Sequence, residues 1–104
     1  MAARVALLVV LSLAGPAVAA GSLPPRQARI NQQICATCHA RPGVAVPLVG
    51  DESAWAPRRE RGLTALVEST VNGVGGMPPL GTCSFCTQED LEILIAYLAG
   101  IDRR

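Results

Sequence analysis

Lysine is absent from the chain, histidine occurs once, and Trp55, Tyr97 and Phe85 are the whole aromatic complement. With no lysine and its arginines balanced by acids, the chain lacks the basic surplus needed to displace counterions from phosphates, which argues against nucleic acid as a partner. With His39 as the sole histidine, acid–base schemes that need a second imidazole are excluded. Past the first twenty residues the sequence shows no long apolar run, no strand-like alternation and no internal repeat. A chain of 104 residues with so few aromatics buries a small core, and such domains commonly lean on disulfides, metals or another bound group.

The apolar content is concentrated at the start. Met1 to Ala20 carry one charge, Arg4, followed by an apolar run from Val5 to Leu13, then Gly15-Pro16 and the small-residue exit Ala17-Val18-Ala19-Ala20. This pattern reads as a signal peptide over residues 1–20, cleaved after Ala19 or Ala20, with the domain proper over 21–104. The alternative is an inner-membrane anchor facing the periplasm. Against it, Ser12, Gly15 and Pro16 interrupt the run, which falls short of the roughly 20 apolar residues a spanning helix needs. Setting Arg4 aside leaves eight arginines against eight acids, so the exported domain is formally neutral.

Cys35, Cys38, Cys83 and Cys86 form two C-x-x-C pairs, and histidine follows the first alone, in Cys35-Ala36-Thr37-Cys38-His39. That string is the attachment signature of c-type haem. Two thiols three positions apart on a helical turn can each add to one vinyl group, and the resulting staple fixes His39 beneath the ring. Chance occurrence and a zinc site built from all four cysteines are the competing readings. The segment between Cys38 and Cys83 is far longer than a zinc ribbon allows. Cys83-Ser84-Phe85-Cys86 has no following histidine, so it is read as a disulfide of an oxidising compartment rather than a second haem site. So short a loop gives little entropic stabilisation, and its expected purpose is to clamp the stretch leading into the last helix.

Met77 stands in Gly73-Val74-Gly75-Gly76-Met77-Pro78-Pro79-Leu80-Gly81, and the only other methionine is Met1. An isolated methionine is ordinarily a core gap-filler. Between glycines and prolines there is little helix or strand for it to fill, which makes Met77 the candidate sixth ligand. A thioether opposite imidazole raises the reduction potential and closes the iron to small ligands.

With these residues in view the chain resembles class I c-type cytochromes, and among them the cytochrome c5 family, whose mark is M-P-P-x-G-x-C-x-x-C. Met77-Pro78-Pro79-Leu80-Gly81-Thr82-Cys83-Ser84-Phe85-Cys86 fits it, and Pro47-Leu48-Val49-Gly50-Asp51, Trp55-Ala56-Pro57-Arg58, Asn72-Gly73 and Tyr97-Leu98 extend the likeness. The resemblance implies a small all-α, cytochrome c-like wrap around one covalently bound haem c with its iron. It implies thioether attachment at Cys35 and Cys38, axial ligation by His39 and Met77, and a disulfide between Cys83 and Cys86. Pro47 matches the residue whose carbonyl accepts from the axial histidine. Trp55 and Arg58, with Arg59 sharing the work, match positions near the haem propionates. The chain departs from the family at Gln27 and Asn31, where glycine and an aromatic residue are frequent, so a looser, less aromatic crossing of the first and last helices is expected. In that crossing Ile30 and Ile34 would meet Leu91, Leu94, Ile95 or Leu98. Leu80 replaces a frequent lysine and, with Val44, Val46, Pro78 and Pro79, suggests an apolar rim for partner docking.

The expected helices run from after Pro24-Pro25 to about Cys35, from a Ser53 cap to Arg61, from Leu63 to Asn72 on a Leu63, Leu66, Val67 and Val71 stripe, and from Gln88 to Ala99 behind Thr87. The function these features imply is a soluble periplasmic one-electron carrier, not an enzyme, exchanging electrons with periplasmic redox proteins. It meets a membrane only through a partner complex and forms at most a weak homodimer. The readings it must beat are a cytochrome subunit of a larger periplasmic oxidoreductase, a haem enzyme such as a peroxidase, and a non-haem zinc or disulfide module.

Overall fold

Pro24 and Pro25 open the first helix where missing N–H groups cost nothing, since a helix's first donors have no internal partner. The computed structural model describes residues 22–103 together with Ala2, Ala3, Ala6, Val9 and Leu11. The body of the expected signal peptide and its cleavage point lie outside the described residues. Helix α1 (Pro25–Ile30) passes into a π-helical turn (Asn31–Cys35) and then α2 (Ala36–His39). The helical backbone thus continues through the cysteine motif to His39 instead of stopping at Cys35. The π turn shows in the bond from the Ala36 N–H to the Asn31 carbonyl, one residue wider than an α turn.

Helix α3 (Glu52–Arg59) starts earlier than its expected cap and ends two residues before Arg61. Asp51, not Ser53, is the cap: its carboxylate accepts from the Ala54 N–H at 3.3 Å, and the Ser53 hydroxyl donates to the same oxygen at 2.8 Å. Both residues are competent caps, and the direction of the incoming loop decides between them. Helix α4 (Leu63–Asn72) has the expected bounds. Its buried face differs, since Leu66, Val67 and Thr70 are covered while Val71 is exposed. Thr70 is accommodated there because its hydroxyl donates to the Leu66 carbonyl at 2.9 Å. A 3₁₀ turn (Pro79–Thr82) precedes α5 (Gln88–Ala99). Thr87 and Asp90 form a reciprocal capping box at the start of α5. No strand occurs among the described residues; Val74 and Met77 form one isolated antiparallel bridge.

Two apolar clusters join these helices. Trp55, Leu66, Val67, Leu91, Ile95, Leu98 and Ala99 bind α3 and α4 to α5. Ile30, Cys83 and Leu94, with Ile34 packed against them, bind the first rod to α5. Cys35 and Cys86 touch both clusters. Of the apolar contacts expected for Ile30 and Ile34, Leu94 is the partner shared with their cluster.

The first and last helices also cross through a polar clasp. Asp90 is only 2% exposed. Its carboxylate accepts from Arg26 Nε at 3.0 Å, Arg26 Nη2 at 2.8 Å, Gln27 Nε2 at 2.8 Å and the Thr87 N–H at 3.0 Å. Gln27, where the family often has glycine, therefore donates to α5 instead of letting the backbones close up. Asn31, where an aromatic is frequent, carries the one buried side-chain polar atom without a hydrogen bond among the described residues, its Oδ1.

Candidate haem site

His39 is 8% exposed and is set by the loop that follows it. Its Nδ1 donates to the Pro47 carbonyl at 2.7 Å, which fixes the proton there and leaves the Nε2 lone pair available to a metal. The Val49 N–H returns to the His39 carbonyl at 2.8 Å. Trp55 Nε1 donates to the Leu48 carbonyl at 2.7 Å. Three consecutive loop residues thus strap the imidazole between α2 and α3, and the indole ring stands 6.0 Å from it, centroid to centroid.

Cys35 and Cys38 are free thiols, whereas Cys83 and Cys86 are joined at 2.04 Å. The second pair therefore cannot serve as metal or vinyl ligands, and among the described residues no three Cys, His, Asp or Glu side chains gather as a zinc site requires. Cys35 lies against both apolar clusters, and burial pushes its thiol pKa up; Cys38 faces solvent. Two thiols and a tautomer-fixed imidazole on one helical turn fit covalent haem attachment.

Met77 sits in a tight hairpin, its N–H bonded to the Val74 carbonyl at 2.9 Å and its carbonyl to the Val74 N–H at 3.1 Å. Gly73 makes this hairpin possible. It has φ of 81°, and a Cβ there would stand 3.0 Å from both the Met77 oxygen and the Pro79 nitrogen. Gly81, with φ of 55°, leaves room for the Met77 Cε, 3.1 Å from where a Cβ would be. The Pro79–Thr82 turn that follows packs against both α4 and the π turn that leads into Cys35 and the motif.

Trp55, Arg58 and Arg59, the three residues expected near the haem propionates, each have an acceptor within the protein. The single N–H of Trp55 donates to the Leu48 carbonyl, so the indole acts as a post for the loop that holds His39. Arg58 is exposed and donates to the Ala54 carbonyl of its own helix at 2.5 Å. Arg59, expected to share that work, pairs with Glu52 and donates to the Ala99 carbonyl at 3.0 Å, tying α3 to the end of α5. The acceptors lie in the loop for Trp55, in α3 for Arg58, and in α3 and at the end of α5 for Arg59.

A helical rod ending in two thiols and a strapped imidazole, closed by a final helix across it, defines a c-type cytochrome domain. A family profile described as Cytochrome C oxidase, cbb3-type, subunit III matches residues 22–98. Cytochrome c5 of Azotobacter vinelandii is 35% identical over 69 residues, 64% of this chain and 83% of that protein. Cytochrome c5 of Ectopseudomonas mendocina is 32% identical over 69 residues, 64% of this chain and 79% of that protein. A chain of a solved electron transfer complex of nitrite reductase with cytochrome c superposes with a TM-score of 0.67 at 32% identity, covering 76% of this chain and 96% of its own. The chain belongs to the cytochrome c5 family of small, electron-carrying c-type cytochromes, and its cofactor is a covalently attached haem c with iron.

Proposed function

We propose that the chain is a periplasmic one-electron carrier in which Cys35 and Cys38 anchor the haem and His39 and Met77 are its axial ligands. The observation that carries this reading is the bond from His39 Nδ1 to Pro47 O, which readies Nε2 for iron directly behind two free thiols. The bound haem iron supplies a ferrous–ferric couple. His39 is held in one tautomer and one orientation, and Met77 is held by a hairpin and a glycine-lined wall, so neither donor has to rearrange when charge changes. With His39 and Met77 both holding the iron, no position would be left for solvent ligands, and the thioether of Met77 would favour the ferrous state relative to a second imidazole.

The leader composition supports export, and the oxidised Cys83–Cys86 pair suits an oxidising compartment. Among the described residues no helix is long and apolar enough to cross a membrane. The partners proposed are periplasmic redox proteins, for which the superposed cytochrome c in its nitrite reductase complex is a precedent in another protein. Pro78 and Pro79 are exposed and Val44, Val46 and Leu80 half-buried, which leaves apolar groups accessible for docking. Partner affinity that drops steeply with salt would contradict that docking mode.

The reading is tested by exposing the matured protein to cyanide and carbon monoxide at neutral pH. A carrier with both axial positions filled binds them poorly. Binding as ready as that of an open-site haem protein would favour the enzyme reading, and co-purification with a catalytic chain would favour the subunit reading.

A further inference from the structure

Between Met77 and α5 the backbone runs left-handed through three successive residues, Leu80 at φ 60°, Gly81 at 55° and Thr82 at 70°. Glycine occupies that region freely, but leucine and threonine do not, and such residues persist only where neighbouring structure holds them. The restraint before the run is the Gly81 N–H to the Pro78 carbonyl at 2.9 Å. After it come the Cys83 N–H to the Leu80 carbonyl at 2.9 Å, the Cys86 N–H to the Cys83 carbonyl at 3.2 Å, and the Cys83–Cys86 bond. Cys83 is 1% exposed and packs with Ile30 and Leu94, so the bond anchors the run to the core. The inner wall of the same run is Gly81, against which the Met77 methyl rests.

We infer that Leu80, Thr82 and the Cys83–Cys86 disulfide act together as positioning residues for Met77: the disulfide holds a strained left-handed run whose wall sets the place of the methionine sulfur. This rests on Met77 being an axial ligand. Without the disulfide, Leu80 and Thr82 are free to return to ordinary backbone angles, Gly81 withdraws from the methyl group, and the sulfur is displaced more easily. Glycine at 80 and 82 removes that restoring force, so the wall then stands without the disulfide.

The test uses full-length matured holoprotein and reads the weak long-wavelength band of methionine sulfur on ferric iron together with the apparent affinity for imidazole, which competes with that sulfur. If the wild type lacks the band, the ligand assignment fails, and this inference with it. Given the band, Cys83→Ala/Cys86→Ala is expected to bind imidazole at least about tenfold more tightly. Adding Leu80→Gly and Thr82→Gly to that variant is expected to recover most of the loss. Unchanged imidazole affinity in the alanine variant, or a loss that the glycines do not rescue, overturns the inference. If the alanine variant does not accumulate, wild type and Leu80→Gly/Thr82→Gly are compared instead. Cys83–Cys86 is then opened by a water-soluble phosphine, the thiols are alkylated and the iron is reoxidised with ferricyanide; the same two outcomes decide.

Discussion

At the scale of single residues, Met77 is placed by glycines more than by anything bonded to its own side chain. Gly73→Ala would force a Cβ to within 3.0 Å of Met77 and Pro79 backbone atoms at a φ of 81°. The expected result is a loss of more than about 1 kcal/mol of stability, read by denaturant unfolding, together with a weakened methionine band. Gly73 was legible as a helix stop, but its contact with the Met77 hairpin was not, because that contact depends on how the chain folds back over it. Asn31 presents the opposite case. Its buried Oδ1 lacks a hydrogen bond, and such an atom costs about 1–3 kcal/mol. Asn31→Leu is therefore expected to raise the thermal midpoint, and a fall would mean the oxygen is satisfied in the haem-loaded protein. The sequence marked this position only as a departure from the family's pattern.

Among the elements, the crossing of α1 and α5 separates most clearly what sequence patterning reveals from what it conceals. The apolar spacing of α5 and its Thr87 cap sit within one stretch of chain, and the bounds Gln88–Ala99 follow from them. The Arg26 and Gln27 bonds to Asp90 join residues more than sixty positions apart and leave no local period. The π turn at Asn31–Cys35 is concealed for a similar reason, since widening one turn changes hydrogen-bond partners without changing residue composition. Thr87→Ala removes the hydroxyl that accepts the Asp90 N–H and is expected to cost about 1 kcal/mol in thermal or denaturant unfolding. The clasp itself is pH-sensitive. Arg26 first, then the Thr87 N–H and Gln27, hold the Asp90 carboxyl well below the usual carboxylate range, against the burial that pushes it up. A carboxylate whose folded pKa is depressed stabilises the fold above its unfolded value of about 4, and that contribution is lost as pH falls below it. Wild type is expected to lose stability on acidification below about pH 4. Asp90→Asn should be weaker at pH 7 and decline less steeply, as followed by circular dichroism at both pH values.

For the molecule as a whole, both apolar clusters reach Cys35, at the start of a site that the sequence announces in five consecutive residues. Cys35-Ala36-Thr37-Cys38-His39 is legible because covalent attachment fixes its spacing within one helical turn. The supports of that site were only partly legible. The Pro47 carbonyl accepts the hydrogen bond from His39 Nδ1, Trp55 donates to Leu48, and Arg59 is held by Glu52 of its own helix and by Ala99 at the end of α5, partners that the course of the loop and the packing of α5 decide. The fold thus fixes an imidazole on one side and presents a methionine in a restrained hairpin, and the proposed carrier function requires both to meet the same iron. The most direct measurement is the optical spectrum of the matured protein, oxidised and reduced, with Met77→Ala alongside. The expected result is a c-type spectrum, a long-wavelength ferric band in the wild type, and loss of that band in the variant. A c-type spectrum without the band, or one that Met77→Ala leaves unchanged, would contradict His39/Met77 ligation.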